Sequence, residues 1–123
     1  MEIYAKTIKH DQQRYDTCGD YWIFPGLINI RVSDMGNEDY NFLVAVHEII
    51  EAYLTNKRGI REEDITEFDK RFKGDGEPGD AENSPYRLEH QFADMIEKLI
   101  ADEIGVNWNE YQTAMNVLFE EED

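Results

Sequence analysis

Val44-Ala45-Val46-His47-Glu48-Ile49-Ile50-Glu51-Ala52-Tyr53-Leu54 is the stretch on which the reading of the whole chain depends. At about 100° per residue it has a helical period, and Phe42, Leu43, Val46, Ile49, Ile50, Tyr53 and Leu54 cover one broad apolar arc. His47 and Glu51, one turn apart, point into that arc, where packing favours leucine. Burying a carboxylate without a partner costs several kcal/mol. The pair therefore needs a metal ion, a second cation or a water-filled cleft, or else His47 and Glu51 pair with each other or with a neighbouring arginine.

The segment before this helix carries the β signal. Tyr21-Trp22-Ile23-Phe24 meets Leu27-Ile28-Asn29-Ile30-Arg31-Val32 across Pro25-Gly26. In the second run Ile28, Ile30 and Val32 alternate with Asn29 and Arg31, which gives one face to a core and one to water. Pro-Gly favours a type II turn. Further back, Ile3, Ala5 and Ile8 suit a short edge strand, and polar Asp11 to Asp20 suits a loop. Between strand and helix, Asn37 or Asp39 can cap, and Asn56-Lys57-Arg58-Gly59 marks the helix end.

Beyond it, Glu62 to Phe72 reads as a short helix with Ile65, Phe68 and Phe72 on one stripe. Lys73 to Ser84 is rich in acids and glycine, but its Asp, Asn and Gly positions do not match EF-hand offsets, so it reads as a solvated loop near the site. Ser84-Pro85 opens a third helix that Gly105 ends. There Leu88, Phe92, Met95, Ile96 and Leu99 make the main apolar face, with His90, Asp94 and Glu97 roughly opposite. If one face alone is buried, His90 is a surface histidine; if the helix is sandwiched, it faces inward. Asn107 and Glu110 form a capping box for a last helix packed by Trp108, Tyr111, Met115 and Leu118, and Glu120 to Asp123 is an acidic, frayed tail.

The expected fold is therefore α+β: a small antiparallel sheet or hairpin in the N-terminal third, then about four helices, in a single domain over residues 1–123. A formal net charge of −16, from 28 acidic against 12 basic residues, argues against nucleic-acid phosphates and anionic membranes as partners. One cysteine, Cys18, excludes a disulfide framework and a cysteine-based zinc site, and reads as a plain thiol. With no signal-like or long apolar run, a cytoplasmic setting is expected.

Of three histidines, His47 and His90 sit in helices beside carboxylates, whereas His10 reads as an exposed loop residue. A catalytic zinc site needs three protein ligands and an open position, commonly two histidines and one acid, and His47, Glu51 and His90 supply that set. His47-Glu48-x-x-Glu51 resembles the His-Glu-x-x-His helix of zinc metallopeptidases, with Glu51 where the second histidine stands. Strand, turn, active-site helix, loop and second ligand-bearing helix likewise resemble the minimal zincin core of the gluzincin type, over roughly Trp22 to Ile104. The resemblance implies Zn2+ on His47, Glu51 and His90, with the second and third ligand types exchanged. It also implies Glu48 as general base, a peptide or protein substrate, and pairing of that substrate with the strand Leu27 to Val32. Tyr86 and Arg87 are candidates for the oxyanion donor. The His-Glu-x-x-Glu helix together with Pro85-Tyr86-x-x-x-His90 also resembles small phage or prophage proteins.

Two rivals stand beside a zinc-dependent hydrolase. A MazG-type nucleotide pyrophosphohydrolase resembles the chain in Glu48-x-x-Glu51, and in Asp94-x-x-Glu97 with the two acids reversed; it would hold Mg2+ and is all-helical. A non-catalytic acidic interaction protein, either an inactive zincin or an inhibitor, would use His47 and Glu51 as a neutralised pair.

Overall fold

The computed structural model describes residues 1–74 and 76–120. Asp75 of the acidic loop and the end of the expected tail, 121–123, lie outside the described residues. Three strands, β1 (Glu2–Ile8), β2 (Gly19–Phe24) and β3 (Leu27–Ser33), precede four α-helices, α1 (Glu38–Lys57), α2 (Glu62–Arg71), α3 (Arg87–Glu103) and α4 (Trp108–Glu120). The fold is mixed α+β, with the sheet first and the helices after it.

The expected hairpin forms: β2 pairs antiparallel with β3 across Pro25-Gly26, where Gly26 takes φ 78° as the turn requires. The third strand joins differently. β1 pairs with β3 in parallel, Glu2 opposite Leu27 and Ile8 opposite Ser33, so the order is β1-β3-β2 and the sheet is mixed rather than antiparallel. This places β3 in the middle with both edges occupied. The alternation read in the sequence holds, since Ile28, Ile30 and Val32 are buried against α1. On the opposite face Arg31 lies over the rings of Tyr4 and Trp22, and Arg14 also lies over Trp22.

A short locked connection carries β3 into α1. The Asp34 carboxylate accepts from the Gly36 amide and the Asn41 side chain, the Asn41 carbonyl accepts from the Met35 amide, and Asn37 caps the helix by accepting from the Tyr40 amide. With both ends of the connection fixed, the rotation of α1 over the sheet is fixed too. Leu43, Val44 and Ala52 enter the core, which Tyr21, Tyr86, Ala101, Tyr111 and Met115 complete. Asn107 caps α4 by accepting from the Glu110 amide, as its spacing predicts.

The apolar face of α3 is not the buried one, and that of α1 is buried only in part. In α3, Leu88 is 69 % exposed, Phe92 44 %, Met95 51 % and Leu99 60 %, while Glu89, His90, Ala93, Glu97 and Ala101 are buried. Phe42 and Tyr53 of α1 are likewise exposed, and His47, Glu48, Glu51 and Thr55 are buried. Neither sequence alternative for His90 describes this: one face of α3 is buried, and it is the polar one. The reason is local. Ala52, Ala93 and Ala101, each fully buried, fill little space, so long polar side chains can converge between the helices. No helix among the described residues is long and apolar enough to cross a membrane.

Candidate metal centre

α1 contributes His47, Glu48 and Glu51; α3, packed against it, contributes His90, Asp94 and Glu97. One oxygen of the Glu51 carboxylate lies 2.9 Å from His47 Nε2 and 2.9 Å from His90 Nδ1, and those two nitrogens are 3.2 Å apart. The three side chains that the sequence nominates are therefore brought together, with residue exposures of 6 % for His47, 4 % for Glu51 and 5 % for His90. Donors about 2.0–2.1 Å from a tetrahedral centre stand roughly 3.3 Å apart, so a modest opening of the triangle admits an ion. Two imidazoles and one carboxylate are a donor set suited to zinc or a neighbouring transition metal. The residues fit the group.

Glu48 lies beside this triangle, its carboxylate 3.8 Å from His47 Nε2. Gly19 of β2 makes room for it. A Cβ on Gly19 would stand 2.6 Å from Glu48 Cγ and 3.0 Å from a Val44 methyl, so only glycine allows the strand this close. The site opens into a groove of about 890 Å³ that Glu48, Glu51, His47, His90 and Trp108 help to line.

Each histidine is held from behind. His47 Nδ1–H donates to Glu97 at 2.8 Å, with Asp94 at 3.2 Å, and the buried Tyr111 hydroxyl donates to the second Glu97 oxygen at 2.6 Å. Fixing Nδ1 in this way commits Nε2 to the Glu51 side. The 3₁₀ turn Pro78–Asp80 presses on His90, because a Cβ on Gly79 would overlap the ring. Around His90 Nε2 stand Glu77 at 2.9 Å, Asp94 at 3.4 Å and Asp80 at 3.6 Å.

Burial and neighbours set the charges. Desolvation alone would lower the pKa of His47, but hydrogen bonds to Asp94, Glu51 and Glu97 outweigh it and raise the value well above that of a free histidine. His90 is pushed up to about 11: burial opposes the rise, and Glu51 and Glu77 drive it. Glu48 is raised, by burial first and by the Glu51 charge second. For Glu51 burial pulls upward, yet hydrogen bonds from both rings hold it below the ordinary range.

Comparison with family models, with curated proteins and with solved structures returned no match.

Several expectations change against the geometry of the site. β3 cannot receive an extended peptide, because β1 and β2 occupy its two edges. Tyr86 is buried with its hydroxyl on Asp69 at 2.5 Å, so it offers no free donor to an oxyanion, and Arg87 is exposed. His10 is not a free loop residue: it sits on a 3₁₀ turn with Nδ1 2.9 Å from Ser33 Oγ and Nε2 3.0 Å from Asp16. Cys18 lines the groove as a free thiol, and burial followed by the charges of Glu77 and Glu48 pushes its pKa up, away from nucleophilic use. Asp94 and Glu97 had a signal, since they share the His90 side of the helix at i+4 and i+7. Glu77 and Asp80 had none, because no periodicity places a loop residue.

Proposed function

We propose that this chain is a metal-dependent hydrolase of the peptidase type, holding Zn2+ on His47, Glu51 and His90 with Glu48 as general base. The observation that carries this reading is the buried His47–Glu51–His90 triangle with a second carboxylate, Glu48, beside it in the lining of a groove. A zinc ion bound there supplies a Lewis acid that lowers the pKa of water to about 7. Glu48, whose burial raises its proton affinity, takes a proton from the attacking water and passes it to the leaving group. Glu97, fixed by Tyr111, keeps the His47 ring in one orientation through the cycle.

The outer edge of β2 lies near Glu48, but Gly19, Asp20 and Tyr21 are buried there and the Gly19 carbonyl already accepts from the Thr17 hydroxyl at 2.7 Å. The Ile23 amide on that edge donates to Glu62 at 2.8 Å, and by strand alternation the Gly19 and Tyr21 backbone groups face the same way. A substrate therefore reaches Glu48 along the groove rather than as an added strand.

Elemental analysis of untagged protein and of its His47→Ala variant tests the metal. Zinc in the wild type, with at least one equivalent lost in the variant, is the expected result. Incubation with a peptide library, read by mass spectrometry, then tests the chemistry, with Glu48→Gln keeping the metal and losing cleavage. Absence of metal from a folded wild-type protein would remove this reading. It would favour the non-catalytic acidic interaction protein, in which Glu51 simply accepts from both rings.

A further inference from the structure

We propose a second divalent-cation site on the far side of His90, formed by Glu77, Asp80 and Asp94 with His90 Nε2. Here the ring nitrogen is buried and, among the described residues, has no hydrogen-bond partner. The side chain is 6 % exposed. Glu77 comes within 2.9 Å and Asp94 within 3.4 Å, yet neither makes a hydrogen bond to it. With Asp80 at 3.6 Å, the nitrogen stands among three carboxylates. A hydrogen bond needs a donor directed at an acceptor, whereas a metal needs donors disposed about an empty centre. The four donor atoms lie within 4.8 Å of one another, the spread of ligands around one cation.

Charge leads to the same place. Glu77, Asp80, Asp94 and Glu97 form ion pairs with His47 and His90 and, among the described residues, with no lysine or arginine. With both histidines neutral as zinc ligands, as the proposed function requires, Glu97 still receives the His47 and Tyr111 hydrogens. Glu77, Asp80 and Asp94 are left facing one another, and like charges this close repel unless a cation joins them. The mixed oxygen and nitrogen set suits Zn2+ or Mn2+ better than the all-oxygen preference of Ca2+. When both sites are filled, His90 releases its ring protons to solvent and bridges the two cations, Nδ1 to the first and Nε2 to the second. The 3₁₀ turn at Pro78–Asp80 becomes the element that the second ion fastens to α3.

Equilibrium dialysis against Zn2+ tests this with three proteins: wild type, Glu51→Ala, and the double variant Glu77→Gln/Asp80→Asn. Circular dichroism confirms that each is folded. Glu77 and Asp80 are side chains 42 % and 52 % exposed, so their amides are compatible with the fold. The expected result is two equivalents in the wild type and one in each variant. One equivalent in the wild type that Glu77→Gln/Asp80→Asn still binds, however weakly, overturns the second site and leaves the proposed function standing. One equivalent that is lost in the double variant but kept in Glu51→Ala upholds the second site and removes the first. Two equivalents in the double variant, or none in the wild type, overturn the assignment.

Discussion

Glu97 stands directly behind His47, its carboxylate oxygen 2.8 Å from Nδ1, while Tyr111 from the last helix donates to the other oxygen at 2.6 Å. Metal-bound histidines are oriented by such partners, whose loss typically costs about 10–100-fold in affinity. Glu97→Ala is expected to weaken Zn2+ binding by that order in competition with a chromophoric chelator. Tyr111→Phe should weaken it less and destabilise the fold by about 1–3 kcal/mol in urea denaturation, because it strands a buried carboxylate oxygen. Unchanged affinity in Glu97→Ala would mean that the carboxylate does not set the ring.

Gly19 is the point at which the sheet meets Glu48 of the candidate site. Gly19→Ala forces the Glu48 side chain aside, since the new Cβ would stand 2.6 Å from its Cγ. Displacing a reacting group by about 1 Å can cost on the order of 100-fold in rate. The variant should keep its metal by elemental analysis and lose peptide cleavage to about that extent. Retained cleavage would place the general base elsewhere.

Asp69 gives a pH dependence with a definite sign. Burial raises its pKa to about 6, although the Tyr86 and Tyr15 hydroxyls both donate to it. The folded state therefore holds a proton that the unfolded state, with a carboxyl near 3.9, releases first. This contribution is complete below about pH 4 and is lost as pH rises through about 6, a fall of roughly 2–3 kcal/mol. Urea denaturation from pH 4 to 7 should show that decline in the wild type and a flatter profile in Asp69→Asn. Parallel profiles would mean that Asp69 ionises freely.

The reversed faces of α3 make opposite predictions for residues of similar hydropathy. Leu99 is 60 % exposed, so Leu99→Gln should change stability by no more than about 0.5 kcal/mol. Ala93 is fully buried where α3 meets α1, so Ala93→Leu should cost about 1–3 kcal/mol by overpacking. Thermal or chemical denaturation decides between this orientation and one with Leu99 inside.

The sequence makes the convergent cluster of His47, Glu51 and His90 legible and the helix orientation illegible for one shared reason. His47 and Glu51 at i and i+4, with His90 beside Asp94 and Glu97, are spacings that fix which side chains share a helix face. What lies opposite that face is a separate matter. Hydrophobic periodicity assumes that apolar residues point to the core, and here alanines at 52, 93 and 101 surrender the interior to polar groups. The hairpin could be read because its turn and alternation are local. The parallel β1–β3 pairing could not, since nothing in residues 2–8 states which strand they join. Glu77 and Asp80 reach the site through the path of a loop, which no pattern encodes.

That parallel pairing also bears on the order of assembly. β2 and β3 can zip from their two-residue turn, a local event of microseconds, whereas β1 must wait for β3 and then close the loop of residues 9–18 across the end of that strand. Six of its seven residues are exposed, so backbone hydrogen bonds rather than burial retain it at the sheet edge. β1 is thus the last strand to arrive and the first to open. Its amides should exchange with deuterium well before those of β3, while the cluster of His47, Glu51 and His90 between α1 and α3 stays closed.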